Sequence, residues 1–408
     1  MAKNINGKEI NRWVVLFASV GIIVCQGGIY AFSVFASPIA KAHGWQVSDV
    51  MFAFTLAIAL SPFPMLLGGI ISDKGKSREL IFFSSMLLAI AFVLTGFSTA
   101  KWMLYLNYGI LGGFGLNLGY IACINNSIRF FPDKKGLASG TVITGIGLGT
   151  MIFAPFSAWL IGKFDIKMTF VILGIIYAVI SVICSLLIQN APIERKEAEE
   201  ISTSKNGYVK NLNWKQILKK PMFYIIVLIY GAGGFSGLMI SSNAADIGES
   251  MFQLTPIIAA TFVSVYAFCN CIGRVIWGGL SDKLTRSITM MIIFVFIGIS
   301  ALSFIFVHSV VGFAIGMIGF GLCEGGVNAL MPPLTMDSFG DKYQGVNYSF
   351  VFAGYSIAAM IAPKLSASIA EKNGGDFTQA FIVGLAMAIF GFILTVCYKK
   401  LLSNQLKN

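Results

Sequence analysis

The sequence predicts an all-α membrane protein with twelve transmembrane helices arranged as two six-helix halves. Of its 408 residues, 56% are hydrophobic and only 12% are charged, whereas soluble domains average about 25% charged residues. Twelve apolar stretches follow one another along the chain, and each is close to the ~20 residues that a helix needs to cross the hydrocarbon core. A short motif after the second stretch recurs after the eighth, which divides the chain into two similar halves.

The twelve apolar segments are separated by charged, proline or turn residues. The first follows a basic start and contains no small-residue cleavage site, so we expect a first membrane helix and not a removed signal peptide. The predicted segments are Trp13–Phe35, Met51–Ile71, Leu80–Phe97, Met103–Ile124, Leu137–Ile161, Met168–Ile188, Met222–Ile240, Ile257–Leu280, Ile288–Val307, Val310–Leu330, Val346–Ile369 and Phe377–Cys397.

The longest polar interval lies between segments six and seven. It predicts an N-terminal six-helix bundle at 1–190, a cytoplasmic central loop at 191–220 and a C-terminal six-helix bundle at 221–408. Within this loop Trp214, Ile217 and Leu218 alternate with lysines. This pattern is consistent with a short amphipathic helix at the anionic inner membrane surface, and a solvated linker is the alternative.

The net charge of +11 is explained by membrane topology. Lys and Arg residues concentrate in alternate loops, as orientation during insertion requires, and this places both termini in the cytoplasm of a multi-pass cell-membrane protein. We therefore expect no nucleic-acid partner. The seven cysteines lie in apolar segments, without disulfide or metal spacing. Catalytic triad and phosphate-loop patterns are also missing from the sequence, so we expect no enzyme, no metal and no cofactor.

A repeated motif marks the ends of segments two and eight. "GIISDK" ends in Asp73 and Lys74, and "GGLSDK" ends in Asp282 and Lys283. Its glycine allows neighbouring helices to approach closely. Each aspartate can pair with a basic residue or with a helix N-terminus of the adjacent bundle, so the four residues are candidates for a gating latch. An ordinary charged turn is the alternative, but two copies at matching positions favour the latch.

Arg274 lies inside the eighth apolar segment, in "CNCIGRVIWGGLSDK". Eight residues at 1.5 Å each place it ~12 Å from the Asp282 end of its helix. An arginine at bilayer depth costs at least ~2.5–3.5 kcal/mol, so it must face a water-filled cavity or a partner. A structural salt bridge is one interpretation. Because a planar guanidinium matches the two oxygens of a carboxylate, we favour an anion-binding site.

These motifs resemble those of a known family. The "GGLSDK" copy is similar to the loop 2–3 motif of the major facilitator superfamily. "RFFPDKKGLASG", Arg129 to Gly140, together with "GGIYAFSVFASPI" and "NYSFVFAGY", resembles segments of the oxalate/formate antiporter group within it. The resemblance implies the major facilitator fold, a bacterial inner membrane and an organic-anion substrate whose carboxylate is held by Arg274. It also aligns Tyr355 with a second cation, a lysine, of the oxalate antiporter. With one cation remaining, a monoanion is the better electrostatic match.

Other polar residues complete the predicted binding site. The resemblance aligns Tyr30 and Tyr120 with cavity tyrosines of the group. Tyr355 can still donate a hydrogen bond to a carboxylate or hydroxyl. Asn117 and Asn328 are further candidates, although buried amides also serve as interhelical packing contacts, worth ~0.6 kcal/mol each.

Glu324 is a second charge at membrane depth, in segment ten, where the antiporter group has a tryptophan. A carboxylate near Arg274 could neutralise it when the site is empty, or take up a proton when a substrate carboxylate arrives. The second reading predicts proton-coupled symport. A static pair with Arg274, or a Glu facing another helix, is the alternative.

These observations predict a secondary active transporter of a small monocarboxylate of the lactate, pyruvate or formate type, working by alternating access as a monomer. Its partners would be the carboxylate, the lipid bilayer and, if transport is coupled, protons. The alternatives are an oxalate/formate-type organic anion antiporter and, in a different class, a membrane sensor of organic acids.

Overall fold

A computed structural model describes residues 2–3, 9–192, 201–204 and 207–405, nearly all of them helical. The helices are α1 Arg12–Gly27, α2 Ser33–His43, α3 Val47–Ala59, α4 Pro62–Asp73, α5 Ser77–Gly96, α6 Lys101–Leu104, α7 Gly113–Phe130, α8 Lys135–Lys163, α9 Ile166–Leu187, α10 Trp214–Ile217, α11 Pro221–Ser241, α12 Ala244–Phe252, α13 Pro256–Lys283, α14 Arg286–Phe306, α15 Val310–Phe339, α16 Gln344–Lys372 and α17 Thr378–Gln405. Two small antiparallel hairpins pair β1 Ala2–Lys3 with β2 Glu9–Ile10, and β3 Ile201–Ser204 with β4 Gly207–Lys210.

Eleven helices or helix runs of the described residues are long and apolar enough to cross a membrane. They correspond to eleven of the twelve predicted segments. The remaining prediction, Met103–Ile124, is also helical, but there a π-helical stretch, Tyr105–Gly112, joins α6 to α7. The first span, Arg12–His43, is longer than predicted because α1 and α2 are joined by a 3₁₀ stretch, Gly28–Phe32.

Two short helices complete the connections. The central-loop segment forms α10 over Trp214–Ile217, whose first turn is closed by a capping box between Asn213 and Gln216. The placement of α10 at a membrane surface stays a prediction. The helix α12 follows α11 after a short turn and lies outside the predicted segments, because its acidic residues interrupt the apolar pattern on which those segments were chosen.

The chain folds into two compact units. Unit 1 holds the described residues within Met1–Pro132, Thr141–Glu199 and Lys342–Ser349, and unit 2 holds those within Asp133–Gly140, Glu200–Asp341 and Phe350–Asn408. Two segments belong to a different unit than the predicted halves imply. Residues 133–140, which form the turn before α8 and the start of α8, belong to unit 2. Residues 342–349, which form the turn before α16 and the start of α16, belong to unit 1. Part of the predicted loop 191–220 lies outside the described residues.

An aromatic cluster forms the core of unit 1 around the irregular stretches of the first and fourth spans. The rings of Phe32 and Tyr108 have centroids 4.1 Å apart, and Phe92 packs at 4.9 Å from Tyr177. The buried Tyr108 hydroxyl donates to the Ile29 carbonyl over 2.6 Å. Because Ile29 lies in the 3₁₀ stretch and Tyr108 in the π-helical stretch, this bond satisfies a buried backbone acceptor where both spans depart from α-helical geometry.

Candidate functional site

Three polar side chains share one face of α13. Tyr266, Asn270 and Arg274 are spaced four residues apart, and residues at this spacing stand above one another on a helix. Tyr266 and Asn270 donate hydrogen bonds to Glu324 of α15, and Arg274 interacts with it electrostatically. The helices α13 and α15 pack against each other along their lengths. The structure therefore brings Arg274 and Glu324, both predicted as functional, to the same place in unit 2.

Glu324 is buried, with 6% of its surface exposed. Its Oε2 atom accepts hydrogen bonds from the Tyr266 hydroxyl and, over 2.9 Å, from Asn270 Nδ2. Its Oε1 atom accepts a hydrogen bond from the Tyr355 hydroxyl of α16 over 3.2 Å. Arg274, which is partly buried, interacts with this carboxylate electrostatically. Three neutral donors and one nearby cation thus compensate for the desolvation of a carboxylate inside a membrane span.

The close approach of Glu324 to α11 depends on Gly237. A Cβ atom at this position would lie 2.7–2.9 Å from the Cβ, Cγ and Cδ atoms of Glu324, which is closer than carbon atoms pack. The Gly237 carbonyl also lies 3.2 Å from the Tyr266 hydroxyl. The glycine therefore sets the position of both the carboxylate and one of its donors.

The polar network continues along α15 through Asn328. Asn328 Nδ2 donates to the Glu324 carbonyl over 3.1 Å, and its Oδ1 accepts from the Tyr230 hydroxyl of α11 over 2.9 Å. The Tyr230 and Tyr355 rings lie 5.2 Å apart. Asn328, proposed from the sequence as a substrate ligand, is thus engaged by protein groups and supports the Tyr355 side of the site.

The predicted ligands of the first half lie in unit 1. Tyr30 lies in the 3₁₀ stretch of the first span, is 37% exposed and packs edge-on against Phe54 with ring centroids 5.9 Å apart. Tyr120 is buried on α7. Asn117 Nδ2 donates to the Gly113 carbonyl of its own helix over 2.8 Å. The structure therefore commits one donor of Asn117 to α7, whereas Tyr30 presents an accessible ring.

Asp73 lies at the N-terminus of α16. Its Oδ1 accepts from the Gly345 amide over 2.9 Å, and its Oδ2 accepts from the Val346 amide over 3.1 Å. Arg129 and Asn125 donate to Oδ1 over 2.9 and 3.0 Å. An anion at a helix N-terminus is favoured by the unsatisfied amides and by the helix dipole.

Asp282 repeats this arrangement at the N-terminus of α8. Its two oxygens accept from the Gly136 and Leu137 amides over 2.9 and 2.8 Å, and Arg286 Nη1 donates to Oδ1 over 2.7 Å. Arg286 also binds Asp337 over 3.2 Å. Lys135 binds the same Asp337 over 2.8 Å. The surroundings of Asp282 therefore contain more charged side chains than those of Asp73.

Several of these residues were not selected from the sequence. The cations that bind the two motif aspartates are Arg129 and Arg286, neither of which was selected as a gating residue, whereas the adjacent Lys74 and Lys283 are exposed. Arg286 follows its aspartate by four residues, but Asp282 lies at the end of α13 and Arg286 begins α14, so their contact depends on the turn between the two helices. Within α13, the four-residue spacing before Arg274 could have identified Asn270 and Tyr266.

The comparisons with known proteins agree with this architecture. Residues 18–250 and 244–407 match the family described as Major Facilitator Superfamily. The oxalate:formate antiporter of Oxalobacter formigenes is 27% identical over 94% of this chain and 90% of its own length. Monocarboxylate transporter 13 of Rattus norvegicus is 22% identical over 93% of this chain and 86% of its own. The crystal structure of the human organic anion transporter MFSD10 superposes with a TM-score of 0.73 at 10% identity, covering 95% of this chain and 100% of that one, and this similarity shows a shared fold.

Proposed function

Because the chain belongs to the Major Facilitator Superfamily, we propose that it is a secondary active transporter that carries a small monocarboxylate by alternating access. The observation that carries this proposal is the meeting of Arg274, Glu324 and Tyr355 inside the spans of unit 2. Ionisable residues within membrane spans are expensive and mark substrate or ion pathways. A cation and a carboxylate in one site provide a group that binds an anion and a group that can carry a proton.

Arg274 is the proposed substrate ligand. Its guanidinium can bind both oxygens of a carboxylate, and Tyr355 can add a hydrogen bond from the hydroxyl. Tyr30, Tyr120, Asn117 and Asn328 remain proposed substrate ligands, the two tyrosines on the basis of the resemblance.

A monoanion is the substrate that the charges of this site favour. In the oxalate antiporter, by the resemblance given above, the arginine is joined by a lysine at the position of Tyr355. One guanidinium can neutralise one carboxylate, and the second carboxylate of a dianion would remain uncompensated in a region of low dielectric constant. The similarity to a monocarboxylate transporter supports the same substrate class.

Glu324 is the proposed proton carrier. Its carboxylate lies close enough to Arg274 to interact with it electrostatically. A substrate carboxylate arriving at Arg274 would be repelled by it, and protonation of Glu324 removes this repulsion. Substrate and proton would then bind together, as symport requires. This coupling requires no conformational change of the protein other than alternating access.

We also propose roles for the two aspartate motifs and for the surroundings of the protein. Asp73 and Asp282, beside Lys74 and Lys283, would act as latches whose bonds to helix N-termini break and reform during transport. The protein would function as a monomer in a bacterial inner membrane with both termini in the cytoplasm, without a cofactor and without catalysing a chemical reaction.

Uptake into proteoliposomes tests the proposal. We expect labelled lactate, pyruvate or formate to accumulate when the exterior is acidified, and oxalate to accumulate less. Arg274→Ala should abolish uptake of every substrate. Glu324→Gln should suppress accumulation driven by a pH gradient while sparing exchange of labelled for unlabelled substrate.

Oxalate/formate-type exchange is the second candidate, supported by the 27% identity to an antiporter of that kind. It predicts that labelled oxalate enters vesicles loaded with formate, and that an imposed pH gradient has no effect. Wild-type protein that accumulates none of the four acids in either assay would rule out both transport proposals.

A further inference from the structure

The Tyr355 hydroxyl stands between the two charged partners of the proposed transport cycle. It has one proton to donate, and in the structure that proton is directed to Glu324 Oε1 over 3.2 Å. The proposed function assigns the same hydroxyl to the substrate carboxylate. Since one O–H group donates to one acceptor at a time, Glu324 and the substrate compete for it.

We propose that Tyr355 couples protonation to substrate binding by exchanging acceptors, an inference that rests on the proposed function. While Glu324 is ionised, it accepts the hydrogen bond from Tyr355. When Glu324 takes up a proton, its O–H group becomes a donor to the Tyr355 oxygen. The phenolic O–H then turns to the substrate carboxylate. Tyr355 keeps its own proton throughout, so the only proton that is taken up and released is that of Glu324.

The other contacts of Glu324 determine which of its oxygens is protonated. Oε2 accepts from both Tyr266 and Asn270, whereas Oε1 accepts from Tyr355. A proton on Oε2 would leave that oxygen one lone pair for two donors, so Tyr266 would have to give up Glu324 and turn to the Gly237 carbonyl, 3.2 Å away. A proton on Oε1 requires only that the bond to Tyr355 reverse its direction. Tyr266 and Asn270 are therefore positioning residues that direct the added proton toward Tyr355.

The groups facing Glu324 from the packed helices agree with this assignment. The helix α13 contributes Tyr266, Asn270 and Arg274, and α16 contributes Tyr355. From α11 the contact is the backbone at Gly237. Of these groups Arg274 is positively charged, and its charge becomes available to the substrate when Glu324 is neutral.

A double-mutant cycle tests the exchange. Glu324→Gln imitates the protonated state, because its amide oxygen can accept from Tyr266 and Asn270 while its N–H group faces Tyr355. We expect Glu324→Gln to lower the half-saturation concentration for substrate exchange about tenfold at alkaline pH, the lower end for a hydrogen bond to a charged group. We also expect it to remove the pH dependence that the wild type shows. In the Tyr355→Phe background the same substitution should tighten binding clearly less, because the loss of repulsion between Glu324 and the substrate remains while the hydrogen bond from Tyr355 can no longer change acceptor.

Tyr266→Phe is the matched control, since it removes a phenolic donor to the same carboxylate from a position that supports Glu324 and not the substrate. The tightening caused by Glu324→Gln should persist in that background. Tyr355→Phe retains the ring that packs against Tyr230 and Phe352, and thermal unfolding in detergent verifies that each variant is folded.

Equal effects of Glu324→Gln in the presence and absence of the Tyr355 hydroxyl would overturn the inference. So would a wild-type affinity that does not tighten on acidification. Both outcomes differ from failure of the proposed function, in which the wild type itself exchanges no monocarboxylate.

Discussion

Gly237→Ala tests whether the position of Glu324 matters for coupling. The added methyl group would lie 2.7 Å from Glu324 Cγ and 2.9 Å from its Cβ and Cδ atoms, so the carboxylate must move away from α11. Overpacking of a filled interior costs about 1–3 kcal/mol. Alanine returns about 0.5–1 kcal/mol of helix stability relative to glycine. We therefore expect a net loss of roughly 1 kcal/mol in the free energy of unfolding.

The expected effect on transport is larger than the effect on stability. Displacing Glu324 stretches its bonds to Tyr266, Asn270 and Tyr355, and a hydrogen bond to a charged group is worth about 1.5–3 kcal/mol. The loss of a single such bond corresponds to a factor of ten or more in an equilibrium constant. Accumulation driven by a pH gradient in proteoliposomes should fall by at least that factor.

Gly298→Ala is the matched control. This glycine lies inside α14, and the nearest atom to an added Cβ is Leu385 Cδ1 at 3.6 Å, an ordinary van der Waals contact. The control should retain wild-type uptake with unchanged or slightly raised thermal stability. If Gly237→Ala also kept wild-type accumulation, or if both variants lost it equally, the placement of Glu324 would be irrelevant to coupling.

Three further predictions concern the charge of the site and two other buried contacts. Tyr355→Lys combined with Glu324→Gln should raise oxalate uptake relative to lactate uptake, because the second substitution prevents Glu324 from neutralising the new cation; an unchanged substrate ratio would contradict the charge-based selectivity. Asp337→Asn should lower the free energy of unfolding by about 3–5 kcal/mol, because it leaves two buried cations underpaired, and unfolding in detergent that matches the wild type would refute this. Tyr108→Phe should cost about 1–3 kcal/mol by leaving the Ile29 carbonyl without its donor, which the same measurement checks.

The membrane helices were accessible from the sequence because lipid imposes a simple rule. Every backbone polar group in the hydrocarbon must be satisfied within its own segment, so apolar runs bounded by charge identify the spans. The same rule does not report departures from α-helical geometry. The π-helical stretch Tyr105–Gly112 and the 3₁₀ stretch Gly28–Phe32 are joined by a tertiary contact, the bond from Tyr108 to Ile29, and segments this far apart in sequence give no local sign of it.

The candidate site was predictable in part. Arg274 and Glu324 stand out because charges at membrane depth are rare and expensive. Their surroundings are less visible, since Asn270 and Tyr266 resemble ordinary packing residues until α13 is placed against α15. From the sequence, each motif aspartate could pair with a basic residue or a helix N-terminus, but the particular partner could not be named. Arg129 and Arg286, with the first amides of α16 and α8, are identified only by the fold.

The most direct test of the central claim compares substrate exchange by Arg274→Gln and Lys364→Gln. Both substitutions remove one positive charge from a membrane-spanning helix, but Lys364 is exposed on α16, whereas Arg274 is partly buried and interacts electrostatically with Glu324. The proposed charge pair joins Arg274 to the substrate carboxylate. Truncating one partner of a desolvated, hydrogen-bonded charge pair costs about 2–5 kcal/mol. We predict that Arg274→Gln raises the half-saturation concentration for lactate exchange by thirtyfold or more, roughly the factor at the lower end of that range. Lys364→Gln should remain within about twofold of the wild type, within the usual range of surface substitutions. Wild-type exchange by Arg274→Gln would contradict the assignment of its guanidinium as the carboxylate ligand.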